Sequence, residues 1–263
     1  MLNKLITDIK DLNIIIHSNY ANIIPYLPDN SIDLLFTDPP QYRMLSKDIK
    51  FNNRKDIIRK VDFDQFIDYD NFLDFTKEWI GLISRKLKEN SSAYIWFAED
   101  YITDLKFICA QWKLKHKDTI YWHKTNPAPR VRKSGFISSV ETLVYFTRGK
   151  PTFNFLSQNE MHDFIETPIC MGNERIKDKE NNTLHPTQKP LRTTLKFIQI
   201  SSNRGDLIVD IFAGVATTNI ACEILRRRCI STENKKKFYL AGKKRLNIKY
   251  HKQGKSSLSQ YLW

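Results

Sequence analysis

The chain alternates short, wholly apolar runs with longer amphipathic stretches, the pattern of strands covered on both faces and of the helices that cover them. Residues 32–36, IDLLF, are one such run, closed by Thr37-Asp38-Pro39-Pro40. Neither proline can donate to a sheet ladder, so the chain must leave the sheet at Asp38. Residues 12–17, LNIIIH, read as a preceding β-branched strand, and residues 20–27 as a short helix stopped by Pro28-Asp29-Asn30. Strand–helix–strand in this order predicts a parallel pair. Residues 71–89 carry a stripe of Phe72, Phe75, Trp79, Leu82, Ile83 and Leu87 and are expected to be a helix with those side chains in the core. Further strands are expected at 93–97, 119–122, 141–146, 206–212 and 230–233. Further helices are expected at 101–112, from the segment 185–190 to about Ser201, at 219–228 and at 235–248. Residues 149–184 show little period and mixed charge, and read as an inserted loop or small recognition lobe.

This alternation predicts an α/β fold with a doubly wound sheet. At 263 residues the chain is long enough for one large α/β domain or two small ones. We read residues 1–250 as a single domain, with 12–148 and 185–250 as its two halves and 251–263 as a tail.

Charge changes the picture more than length does. The chain carries 42 Lys and Arg against 29 Asp and Glu, a formal net charge of +13. A protein this basic points to a polyanionic partner, nucleic acid before a membrane surface, since no apolar run of membrane-spanning length occurs. The first residues lack the apolar core of a signal peptide. The four cysteines, Cys109, Cys170, Cys222 and Cys229, form no C-x-x-C pair and no metal-ligand spacing. They read as reduced thiols in a cytoplasmic protein, and no metal is expected.

Two stretches concentrate the positive charge. Residues 43–60 hold seven basic side chains, Lys47, Lys50 and Arg54 among them, against Asp48 and Asp56. They read either as a solvated loop or as one that orders on DNA phosphates. Residues 122–133, WHKTNPAPRVRK, form an extended cationic loop in which Lys124, Arg130, Arg132 and Lys133 are candidate phosphate contacts. The runs at 226–228, 235–237 and 243–245 read as a solvated face.

Asp38 and Tyr42 fall at the carboxyl end of a strand, where open α/β sheets bind ligands. By itself Asp-Pro-Pro is equally a turn capped by its aspartate. The stretch 208–218, IVDIFAGVATT, has the form strand–turn–helix and presents backbone N–H groups at a helix start. Glu233, one strand further on, stands where a ribose diol would be gripped.

Taken in order, TDPPQY, a W-x-K-x-N-P loop, HPTQKP and VDIFAGVATT followed by an acidic strand end resemble the S-adenosylmethionine-dependent amino-methyltransferases of DNA. The arrangement is the circularly permuted beta one, of restriction-modification or orphan and phage kind, adenine-N6 type. The resemblance spans roughly residues 12–247. It implies a seven-stranded, mostly parallel sheet with one reversed strand. It implies a prokaryotic or phage-encoded protein acting on DNA, as a homodimer or with a partner methyltransferase or specificity subunit. It also implies roles. Asp38, Pro39, Pro40 and Tyr42 would handle the target base. Asp210, Phe212, Gly214 and Thr217, with Thr218 behind, would line the methionine end of the cofactor, and Asp38 would border it. Glu233 would hold the ribose, and Asn19 would lie near the adenine. His185, Thr187 and Lys189 would close over the cofactor.

An exocyclic amino nitrogen is a poor nucleophile, because its lone pair is delocalised into the ring. Asp38 and the Pro39 carbonyl, accepting its two hydrogens, would pull it toward a tetrahedral form. The base is out of reach inside a duplex and must be flipped.

The sequence departs from the family pattern in three places. Gln41 stands where the aromatic residue usually follows Pro-Pro, displacing Tyr42 by one. Ala216 replaces the second glycine of a Gly-Ser-Gly turn. Ser231-Thr232 leads into Glu233 in place of Gly-Ile. These changes keep two alternatives open: a weakly active or inactive DNA-binding subunit of a complex, and a cytosine-N4 enzyme. An RNA-binding α/β domain is a third reading.

Overall fold

A computed structural model describes residues 12–42, 66–129 and 134–247. The strands are β1 (Asn13–His17), β2 (Ile32–Thr37), β3 (Leu87–Phe97), β4 (Lys115–Lys124), β5 (Val140–Arg148), β6 (Phe164–Thr167), β7 (Leu207–Asp210) and β8 (Arg228–Glu233). The helices are α1 (Tyr69–Ser84), α2 (Ile102–Gln111), α3 (Leu191–Ile200), α4 (Thr217–Leu225) and α5 (Lys236–Leu246). The strands form a single sheet in the order β1-β8-β7-β2-β3-β5-β4-β6. Among the described residues only β5 is reversed within it: it runs antiparallel to β3 and β4, while the other pairs are parallel.

Successive side chains on the central strands point to opposite faces, and both faces are covered. Leu35, Ile95, Phe97 and Val209 pack with Phe72, Trp79 and Ile83 of α1 and Leu105 and Ile108 of α2. Leu34, Phe36, Tyr94, Trp96 and Ile208 pack with Leu195 and Ile198 of α3 and Ile220 of α4. The result is three layers, helix–sheet–helix.

The connections reverse between β7 and β2. From β2 the chain passes through α1 to β3 on one side, and from β7 through α4 to β8 on the other. Asp33 fixes this junction, because its Oδ2 accepts the Leu207 N–H at 2.9 Å and its Oδ1 accepts from Lys88 Nζ at 2.5 Å. A crevice opens outside the carboxyl ends where strand order reverses, so β2 and β7 deliver the residues that follow them to one place.

The expected α/β doubly wound sheet is present, with corrections. Among the described residues the sheet has eight strands, not seven. The extra one is β6, inside the 149–184 segment, parallel to β4. Residues 20–27 make two 3-10 turns, Tyr20–Asn22 and Ile24–Tyr26, in place of a helix, because Pro25 has no N–H to continue one. The helix expected to reach residue 89 ends at Ser84, and Leu87 already belongs to β3. The basic runs near the C-terminal end are not wholly a solvated face. Arg245 is 7% exposed, and Arg227 donates to the Ser202 carbonyl at 2.7 Å and to Ser202 Oγ at 3.1 Å.

Candidate active site

At the carboxyl end of β7, Asp210 is buried and fully hydrogen-bonded. Its Oδ1 accepts from Thr37 Oγ1 at 2.9 Å and the Phe212 N–H at 3.1 Å, and its Oδ2 accepts from Thr218 Oγ1 at 2.6 Å. Burial pushes the carboxyl up to about 6 despite those three donors. After it, Gly214 takes φ +52°, and a Cβ there would meet His185 Nε2 at 2.8 Å. Glycine is therefore required twice over, by the left-handed backbone and by the imidazole lying on it. Burial first, then Lys189, Lys237 and Arg245, push His185 down to about 3, so the ring is neutral.

Glu233, at the end of β8, supports this turn from beneath. Its Oε2 accepts the Gly214 N–H at 2.9 Å and its Oε1 the Lys235 N–H at 2.7 Å. Burial pushes this carboxyl up to about 7. Arg245 of α5 braces the same turn, donating to the Val215 carbonyl at 2.6 Å and to Thr217 Oγ1 at 3.2 Å. Sequence reasoning missed Arg245, which is indistinguishable from the lysines beside it until the helix is folded onto the turn.

At the end of β2, Asp38 is held differently. Its Oδ2 accepts from Lys189 Nζ at 2.6 Å and its Oδ1 from Gln41 Nε2 at 2.8 Å. The Lys189 ammonium also lies 3.2 Å from Glu141 Oε2 and 5.0 Å from the centre of the Trp96 ring. Glu141, at the start of β5, is 3.3 Å from Lys124 Nζ through its other oxygen. A chain of alternating charge, Asp38–Lys189–Glu141–Lys124, thus runs along the strand ends, each side chain largely shielded from water.

The segment 185–190 crosses over both strand ends because it is tied to the insert before it. Gln188 Nε2 donates to the Glu174 carbonyl at 2.8 Å, and Gln188 Oε1 accepts the Ile176 N–H at 3.0 Å. Glu174 Oε1 in turn accepts the Leu191 N–H at 2.7 Å, satisfying one of the open donors at the start of α3.

A cavity open to solvent lies between these parts. Among the candidate residues it brings together Asp38, His185, Thr187, Lys189, Asp210, Phe212, Gly214 and Thr217. Glu233 stands behind Gly214. Asn19 follows β1, the neighbour of β8, and caps a 3-10 turn by accepting the Ala21 N–H at 2.9 Å. Pro39 is buried and Pro40 half-buried. Tyr42 takes φ +46° and stacks on Phe72 at 5.5 Å, within a group that includes Phe66, Tyr69 and Tyr101. Lys124 is buried on Glu141 and so is not presented at the surface. Lys47, Lys50, Arg54, Arg130, Arg132 and Lys133 lie outside the described residues.

The departures at Ala216 and Ser231 are accommodated away from the cavity. Ala216 adopts φ +63° at the start of α4 and is fully buried. Its methyl group sits where a Cβ on Gly242 would come within 3.0 Å, so a glycine in α5 makes the room. Ser231 Oγ donates to Asn219 Oδ1 at 2.6 Å, and Thr232 Oγ1 to the Ile211 carbonyl at 2.8 Å. Each added hydroxyl is partnered, as burial requires.

Residues 32–244 match a family model described as DNA methylase, of the N6/N4 methyltransferases. The chain is 30% identical over 246 residues to the type II methyltransferase M.HinfI of Haemophilus influenzae, covering 89% of this chain and 68% of that protein. It is 28% identical to the type II methyltransferase M2.LlaDCHI of Lactococcus lactis subsp. cremoris, covering 90% of each. Among solved structures, the M1.HpyAVI–SAM complex superposes with a TM-score of 0.68 at 26% identity, covering 89% of this chain and 98% of that one. The crevice at the β2–β7 reversal, its two aspartates and the segment closing over them therefore belong to a member of the N6/N4 family of DNA methylases.

Proposed function

We propose that this DNA methyltransferase transfers a methyl group from S-adenosylmethionine to the N6 amino group of adenine in DNA, the base being flipped out of the duplex. The observation that carries this reading is the meeting of Asp38 and Asp210 in one cavity, under a single lysine-bearing segment.

The residues fit the cofactor on their own chemistry. Asp210 and Glu233 are buried carboxylates raised by burial, negative charge that a cationic, hydroxyl-bearing ligand would complement. Phe212 and the Gly214 turn supply an apolar wall and close backbone approach. S-adenosylmethionine, when bound, supplies an electrophilic methyl group on a cationic sulfur. Glu233 holds the ribose, while Asp210, Phe212, Gly214 and Thr217 line the methionine end. Asn19 reaches the adenine, and His185, Thr187 and Lys189 close the site.

On the other side, Asp38 and the Pro39 carbonyl accept the two hydrogens of the target amine. That orients its lone pair and stabilises positive charge as it develops on nitrogen. Lys189 offsets the Asp38 charge while the site waits for DNA. Tyr42 and Pro40 border the base, and the basic residues of 43–60 together with Arg130, Arg132 and Lys133 contact phosphates, in keeping with the net charge of +13. The protein works in the cytoplasm.

The family matched also includes cytosine-N4 enzymes. Transfer of labelled methyl to mixed-sequence DNA, followed by mass spectrometry of the modified base, separates the readings. Label on adenine N6 supports the proposal, label on cytosine N4 corrects the base, and no label refutes both.

A further inference from the structure

The contact on Asp38 that the family pattern does not supply comes from Gln41. This side chain is 8% exposed and enters the space beside the end of β2. Its Nε2 donates to Asp38 Oδ1 at 2.8 Å and points its remaining hydrogen toward the Trp96 carbonyl at 3.5 Å. A carboxamide nitrogen is chemically close to the exocyclic amine of a base. Both are planar, both have a lone pair delocalised into an adjacent π system, and both carry two hydrogens to be accepted. Asp38 Oδ2 accepts from Lys189 Nζ at 2.6 Å, so each carboxylate oxygen already has a donor. The next residue, Tyr42, is a non-glycine held at φ +46°, backbone strain placed beside the site.

We propose that Gln41 is a positioning residue that holds the place of the target amine. In the DNA-free protein its amide occupies the amino position on Asp38, and a flipped base enters only by displacing it. This rests on the methyltransferase reading above. It follows that admission of a base is an exchange of one amine-like donor for another. A base that offers no N–H₂ group to Asp38 cannot compensate the lost contact, and is turned away.

The test compares wild type with Gln41→Met, which keeps length and loses both donors, and Gln41→Ala, with thermal melting to check that each folds. Steady-state methyl transfer to a duplex of mixed sequence gives kcat and KM separately. Binding of duplexes carrying purine, which has no amino group, or adenine at an otherwise identical modified position gives the discrimination. Removing a competing hydrogen bond to a charged group should lower KM for DNA about tenfold in both variants, with kcat little changed, and should tighten binding of the adenine and purine duplexes by a similar factor, because both must displace the same amide. An unchanged or higher KM, or a fall in kcat alone, with an active wild type, overturns the place-holding role and leaves the methyltransferase reading intact. A wild type that methylates no DNA overturns that reading and this inference together.

Discussion

The two aspartates at the centre of the sheet are held in opposite ways. Asp210 receives three donors from groups fixed by the sheet and the turn itself: Thr37 on the adjacent strand, the backbone two residues on, and Thr218 in the first turn of α4. Asp38 receives its donors from the ends of two long side chains, Gln41 and Lys189, the second 151 residues away in sequence. Short donors on rigid elements hold a carboxylate permanently, whereas long side chains release it by rotating. On the proposed function, the cofactor side of the crevice is thus built to stay as it is, and the base side to be exchanged.

The sharpest way to break this contrast is to remove each carboxylate in turn. Asp38→Ala should reduce methyl transfer at least about a thousandfold, with melting temperature and cofactor affinity close to wild type. Asp210→Ala should instead cost about 2–3 kcal/mol in denaturant unfolding, because two hydroxyls and a backbone N–H lose their buried acceptor. It should also abolish measurable cofactor binding by calorimetry. If Asp38→Ala destabilises as much as Asp210→Ala does, the contrast is wrong.

A second prediction concerns the turn that Asp210 leads into. Gly242→Ala should destabilise the protein by about 1–3 kcal/mol, since the new methyl group meets those of Ala216 and Ile15. Adding Ala216→Gly should restore much of that loss, a coupling that a double-mutant cycle measures. Ala216→Gly alone should change stability by less than about 1 kcal/mol, because relief of the left-handed backbone opposes the loss of a buried methyl.

The smallest effect is one of pH. Asp210 and Glu233 bind their protons more tightly in the folded chain, with values raised from 3.8 to about 6 and from 4.5 to about 7. Between the ordinary and raised values the folded state carries the extra protons, so its stability falls as pH rises through that window. A cofactor that donates to these carboxylates needs them ionised. Its affinity should therefore rise with pH up to about 7 and then level off. Calorimetry across this range, beside Glu233→Gln, checks the sign: the variant should show a flatter profile.

Much of this architecture is written locally. The apolar runs of β2 and β7, closed by Asp-Pro-Pro and by a glycine turn, mark both strand ends without reference to the rest of the chain. The motif residues that directly follow β2 and β7 are legible for the same reason, each being fixed by its own turn. What is not legible depends on distant partners. β6 has four residues, too few for a period, and exists because Trp122 and its neighbours on β4 offer it an edge. Leu87 continues the spacing of α1 yet starts β3, because pairing with Ile32 outweighs one more turn of helix. Arg245 looks like surface charge and serves as a brace. Gln41 stands out in the sequence as a departure from the family pattern, but its partners, Asp38 and the Trp96 carbonyl, are not legible there.

The ties between Gln188, Glu174 and the start of α3 have a consequence for how such enzymes diversify. The insert and the segment over the crevice share hydrogen bonds in both directions, so neither is an independent cassette. Grafting residues 149–184 from a relative without the matching 185–190 would leave the Leu191 N–H and the Gln188 amide without their acceptors and donor. Any change in what the insert touches is felt, through these same bonds, by the lysine on Asp38. A graft that moves 149–184 and 185–190 together should therefore keep the fold of the crevice, and one that moves either alone should not.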